Sequence, residues 1–172
     1  INMNRVDERV LEKIQQGSGL LAGEPVSDIT LAIIPDKDGH SIGPFTNNEF
    51  DKFSLPAGGH GEIVVSGDHV QQGYISGDGE ITNFKVEDTI WHRTGDAGYL
   101  DEEGVLWLLG RCSAKIVKGA QTIYPFSIEA AAMSFSGIEK AALVEVSGLV
   151  VLAIETRAEN AVLLCEKIAA CI

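Results

Sequence analysis

The run from Trp91 to Arg111 constrains the fold of this chain more than any other stretch. Tyr99-Leu100 and Val105-Leu106-Trp107-Leu108-Leu109 are strand formers. Asp101-Glu102-Glu103-Gly104 between them reads as a short turn, with a glycine at its end that tolerates positive φ. The pattern predicts a β-hairpin. Folding antiparallel about that turn sets Asp96 opposite roughly Leu109 or Gly110, so Asp96 and Arg111 share the open end. A carboxylate accepts hydrogen bonds and a guanidinium donates several. Together they can grip a vicinal diol such as a ribose. The alternative is an ion pair closing the hairpin, which stabilises little at a surface.

Short strands and turns surround this hairpin. Residues 5 to 16 read as a polar helix with Val6, Val10, Leu11 and Ile14 on one face, ended by Gly17-Ser18-Gly19. Residues 28 to 35 form an apolar strand stopped by Pro35-Asp36-Lys37-Asp38-Gly39. Residues 40 to 57 read as a loop with one short strand or turn. Glu62 to Val65 is a strand. The glycines of Ala57-Gly58-Gly59-His60-Gly61 make a turn and not a phosphate cradle, because a strand rather than a helix follows them. A further loop carries Gly77-Asp78-Gly79. This half, residues 1 to 110, reads as a small β-sheet or distorted barrel.

The pattern changes after Gly110-Arg111. Lys115-Ile116-Val117-Lys118 and Thr122-Ile123-Tyr124 predict a second hairpin around Gly119. Pro125 suits the first turn of a helix, where its missing N–H costs nothing. That helix is expected to reach Gly137, with Ile128, Ala131, Ala132 and Phe135 on its buried stripe. Leu143–Val146 and Leu149–Ile154 predict a hairpin through Ser147-Gly148. Glu159 to Ile172 reads as an amphipathic helix carrying Val162, Leu163, Cys165, Ile168 and Ala169. Residues 111 to 172 thus read as a small α+β subdomain, and the whole chain as α+β.

Composition excludes several functions. A formal net charge of −12 over 172 residues argues against a nucleic-acid surface, which needs clustered Lys and Arg. No apolar run reaches membrane-spanning length. Cys112, Cys165 and Cys171 lack metal-ligand spacing and read as free buried thiols of a reducing cytosol. His40, His60, His69 and His92 are too scattered for a metal site, and His92, Trp91 and Trp107 read as packing residues.

An ordered motif set resembles the adenylate-forming superfamily, which holds acyl- and aryl-CoA synthetases, peptide-synthetase adenylation domains and firefly luciferase. It comprises Gly61-Glu62-Ile63-Val64-Val65-x-Gly67-x-x-Val70-x-x-Gly73-Tyr74, then Thr94-Gly95-Asp96, Tyr99-Leu100-Asp101-x-x-Gly104 and Gly110-Arg111. Gly119 and Ile123-Tyr124-Pro125-x-x-Ile128-Glu129 complete it, so that the likeness covers most of residues 19 to 156. Trp91-His92-Arg93-x-Gly95-Asp96-x-Gly98-Tyr99-Leu100-Asp101, Leu106-Trp107-x-x-Gly110-Arg111 and the compact Ala142-Leu143-Val144-x-Val146 hairpin are similar to the branch of long-chain acyl ligases and β-lactone synthetases.

The resemblance implies a barrel subdomain followed by a rotating lid that starts after the Gly-Arg pair. It implies ATP and AMP as ligands: Asp96 accepts from the ribose hydroxyls, Thr94 and Gly95 let the backbone approach, and Arg111 contacts the ribose and opens the hinge. Thr122 falls near the position that meets the nucleotide phosphate in some relatives. The hinge position is Ala114, where many relatives carry Asp or Lys. The Ser/Thr/Gly-rich triphosphate loop, the aromatic-Gly-x-Thr-Glu motif and the late Pro-x-Gly-Lys do not occur among the 172 residues. The expectation is a C-terminal portion of an AMP-forming acyl-adenylate ligase, inert alone. It needs an N-terminal adenylation domain, a carboxylic acid, Mg²⁺ held by the parent enzyme, and CoA or another acceptor. A different class, a noncatalytic nucleotide-binding or interaction module, is favoured by Ala114 and the absent late lysine. A β-rich protein- or glycan-binding module would need an aromatic platform, and no such cluster is present.

Overall fold

The computed structural model describes residues 7–70 and 79–171. Arg5 and Val6 of the first helix, Gly73-Tyr74 of the motif set and Gly77-Asp78 lie outside the described residues. The chain divides into two compact units, Gly23–Leu106 and a second made of Ile1–Ala22 with Trp107–Ile172. Among the described residues, no helix is long and apolar enough to cross a membrane.

The unit Gly23–Leu106 is built on antiparallel strands β2 (Thr30–Ile34), β3 (Gly61–Ser66), β4 (Asn83–Val86) and β5 (Thr89–Leu100). β2 pairs with β3 from Thr30↔Ser66 to Ile34↔Glu62. β3 pairs in turn with β5, and β4 pairs with the start of β5. His92 is partnered by both Val65 and Asn83, which puts β3 and β4 on opposite edges of β5. β5 extends upstream of the hairpin marked in the sequence, and the turn after it closes as expected. Asp101 N–H donates to Val105 C=O, and the Asp101 carboxylate accepts from the Glu103 and Val105 amides. Asp101 therefore organises its turn.

The core of this unit is Ile34, Phe50, Val64, Phe84, Val86 and Trp91. Phe50 belongs to helix α2 (Asn47–Phe53), which lies where the sequence reading placed an irregular loop. The helix has a plain local cause. Thr46 caps it through its hydroxyl, which accepts from the Glu49 amide, while Glu49 reaches back to the Thr46 amide at 2.8 Å. Those hydrogen bonds hold the Glu49 carboxyl below its ordinary pKa. With only two turns, α2 shows little apolar periodicity, and it persists by setting Phe50 against Trp91 at a centroid distance of 4.7 Å. Gly61 begins β3 because a Cβ there would lie 2.0 Å from the Ile34 carbonyl oxygen.

The other unit opens with α1 (Glu8–Gln15), capped by Asp7, whose carboxylate accepts from the Val10 amide. Ile14 is buried but Leu11 is 42% exposed, so the expected apolar face is only half used. Strand β1 (Leu20–Gly23) was not anticipated. β6 (Leu106–Arg111) buries Trp107 and Leu109. β7 (Ile116–Lys118) and β8 (Gln121–Ile123) form the hairpin expected around Gly119. Helix α4 (Pro125–Met133) starts at its proline and stops four residues short of Gly137, capped at Ser134. For that numbering, α3 is the short turn Gly79–Thr82 of the first unit. β9 (Ile138–Val146) and β10 (Leu149–Thr156) are longer than expected, and they pair through the Ser147-Gly148 turn. Glu129 accepts from the Leu143 amide at 2.8 Å and so ties α4 to β9. α5 (Ala161–Cys171) buries Ile168, whereas Val162 is 75% exposed. Cys112 is buried, but Cys165 and Cys171 are exposed, which corrects the expectation of three buried thiols.

Candidate functional site

Thr94-Gly95-Asp96 is a bulge inside β5. β3 advances from Glu62 to Val64 while β5 runs from Ala97 back to Arg93, so Ile63 alone faces three residues. A bulge of this kind interrupts the ladder and re-aims a side chain. Its geometry is dictated residue by residue. Gly95 has φ +71°, a conformation that costs an L-residue about 1–2 kcal/mol. The Thr94 hydroxyl donates to the Ile63 carbonyl at 2.8 Å and accepts from the Asp96 amide at 3.0 Å. One side chain thus anchors the bulge to β3 and folds it over itself. Asp96, half-buried, leaves the regular ladder at this point.

Each end of the bulge is held by a charge. Arg93, the last paired residue before it, and Glu62, the partner of the first paired residue after it, are 5% and 3% exposed. They lie diagonally on one sheet face. The guanidinium donates to Glu62 through Nε at 2.9 Å and through NH2 at 2.5 Å. Its NH1 donates to the carbonyls of His40 at 2.6 Å and Ile81 at 3.2 Å. Sequence reasoning missed this pair. The available signal was a glutamate inside the apolar run Gly61–Val65. Beside it, His92 Nδ1 lies 2.7 Å from Asn83 Oδ1. Burial lowers the His92 pKa from its ordinary 6.5, partly offset by the Glu62 charge, in keeping with a packing role.

The remaining candidate residues belong to the other unit. Arg111 is exposed, with φ −86° and ψ +136°, and it leads into a single 3-10 turn, Cys112–Ala114. Ala114 is exposed at the end of that turn. Thr122 is exposed on β8, opposite Val117. The loop between β7 and β8 is moored by Lys118, whose Nζ donates to Glu145 at 2.9 Å and to the Gly148 carbonyl at 2.6 Å. The structure thus brings Thr94 and Asp96 together in one bulge, while Arg111, Ala114 and Thr122 belong to the second unit.

No family model matches the chain. A 2-succinylbenzoate–CoA ligase of Bacillus velezensis is 36% identical over 120 residues, which covers 70% of this chain and 21% of that protein. Another, from Bacillus pumilus, is 43% identical over 82 residues, covering 48% of this chain and 16% of that protein. The chain thus spans about a fifth of the length of the curated relatives it matches. Among solved structures, O-succinylbenzoate coenzyme A synthetase of Bacillus subtilis in complex with AMP is similar at TM-score 0.58 and 27% identity, over 86% of this chain and 28% of that one. The ATP-bound RpMatB-BxBclM chimera B3 is similar in fold, at TM-score 0.64 and 22% identity over 88% of this chain and 29% of that one.

Proposed function

We propose that this chain, which in sequence and fold corresponds to the C-terminal portion of an adenylate-forming enzyme, supplies the ribose-binding edge and the lid of an AMP-forming acid–thiol ligase. In the intact enzyme a substrate carboxylate attacks the α-phosphorus of ATP and releases pyrophosphate. A thiol then displaces AMP from the acyl-adenylate. The observation that supports this reading is the bulge, at which Asp96 falls out of register with β3. Asp96 accepts from the two ribose hydroxyls. Thr94 acts through the bulge, with its own hydroxyl committed to Ile63. Arg111 donates to the ribose, Thr122 donates one hydrogen bond to the phosphate, and the backbone turns at Arg111 to Ala114.

CoA is the favoured acceptor because the sequence relatives are CoA ligases. ATP and AMP are the nucleotides because similar enzymes are solved with them bound. Mg²⁺ accompanies the triphosphate, and this chain's own residues are assigned no part in holding it. Among the described residues, Glu62, the most buried carboxylate of the first unit, is already committed to Arg93. The reading places the protein in the cytoplasm, with an adenylation domain and a carboxylic acid as its partners.

The chain alone should bind AMP weakly and catalyse nothing. Titration with AMP is expected to shift the Gly95 and Asp96 amide resonances saturably, and Asp96→Ala should abolish the response. Silence at those amides would overturn the ribose assignment. Pyrophosphate–ATP exchange by the chain alone, with any carboxylic acid, would overturn its inertness. Ala114 in the hinge position favours a second reading, a nucleotide-binding module without chemistry. Fusing the chain to an upstream adenylation domain separates the two, since only the ligase reading predicts exchange.

A further inference from the structure

The buried Glu62–Arg93 pair has no place in the chemistry just described, yet it sits at the centre of a buried polar network. Its guanidinium is bonded to a carboxylate and two carbonyls, drawing together β3, β5, the loop at His40 and the end of α3 at Ile81. Removing two charges from water is expensive, and apolar pairs of similar volume often stabilise as well or better. Stability is therefore a weak reason for this pair. Its position supplies a better one. Arg93 is the residue before the bulge, and Glu62 partners the residue after it. The bond between their side chains spans the gap in which the ladder lacks register.

We propose that Glu62 and Arg93 are positioning residues that fix the bulge in one shape, and with it the direction of Asp96. The inference rests on the ribose reading only for its functional consequence. Thr94 and Gly95 define what shape the bulge can take. The ion pair opposes the two-residue slip that would carry the Glu62↔Ala97 register through the bulge, because Arg93 would then face Ser66 and both charges would be left unpaired. Arg93 is suited to this by its planar fork, which a lysine would not reproduce.

The test uses the full chain with Glu62→Gln, Arg93→Lys and the double variant E62M/R93L. The double variant is expected to fold with a thermal midpoint close to the parent's. The Asp96 amide, which donates to Thr94 Oγ1, should nevertheless lose hydrogen-exchange protection by about tenfold, the weight of one such hydrogen bond. The amides of β2 and β3 should keep theirs. Unchanged protection at Asp96 in all three variants overturns the proposal. So does a uniform loss across β2, β3 and β5, which is the mark of a merely structural pair. In a second arm, AMP is compared with 2′,3′-dideoxy-AMP. The parent should prefer AMP by about tenfold, and the double variant should show no preference. A parent without preference would sink the ribose reading, while the exchange data would still decide the clamp.

Discussion

The sheet of the first unit and the β9–β10 hairpin of the second use their apolar residues in opposite ways, although the second unit also buries Trp107, Leu109, Ala131 and Ala132. In Gly23–Leu106, Ile34 and Val64 are fully buried and Trp91 is packed between aromatic rings. In the other unit the β9–β10 ladder leaves Val144, Val146, Leu149 and Val151 between 42% and 68% exposed. The sheet is a filled scaffold around the bulge. The hairpin is held by local pairings and moorings such as Lys118 on Glu145 and Gly148. The first arrangement suits a residue that must not move. Local stability should follow the same division.

Truncation at matched positions tests this contrast most severely. Trp91→Ala should destabilise the first unit by about 3–5 kcal/mol, whereas Leu149→Ala should fall within about 0.5 kcal/mol of the parent. Urea melts followed by residue-resolved amide signals would measure both. Comparable losses would erase the distinction. Gly95→Ala probes the scaffold at finer scale. Its φ of +71° makes alanine strained by about 1–2 kcal/mol, and relief of that strain should remodel the bulge and abolish the AMP response at Asp96. A variant with normal stability and intact AMP response would show that the bulge is less constrained than its geometry indicates. The smallest effect concerns pH. The folded-state pKa of His92 lies below the ordinary 6.5, so the unfolded chain binds the proton more readily. The stability that His92 contributes is present above that value and is lost as pH falls through the depressed folded pKa. NMR titration should place the imidazole transition below 6.5, and His92→Gln should lessen the loss of stability on the acid side, in which His60, also lowered by burial, shares.

Much of the scaffold was legible because its signals are local. The Asp101–Gly104 turn, Pro125 at a helix start and the Ser147-Gly148 turn each fix their element through residues close in sequence. What escaped depended on tertiary partners or on very short elements. α2 has two turns and a capping box, Thr46-x-x-Glu49, that could have been read, but one buried phenylalanine gives no period. β1 has four residues. The amphipathic reading of α5 assumed a partner for each apolar residue, and the structure covers Ile168 alone among its most apolar positions. At the candidate site, residue identities were visible but not the device that presents them. Nothing in Thr-Gly-Asp announces a bulge, because a bulge is a mismatch between two strands and the mismatch lies in the register with Glu62–Val64.

The placement of the three cysteines has a practical reach. Cys165 and Cys171 are exposed on α5 while Cys112 is shielded. A thiol-reactive dye applied to the native chain therefore marks one helix, and with Cys171→Ser it marks one atom. Light emitted from that atom can follow how the second unit tumbles, with no foreign cysteine introduced near Asp96 or Arg111.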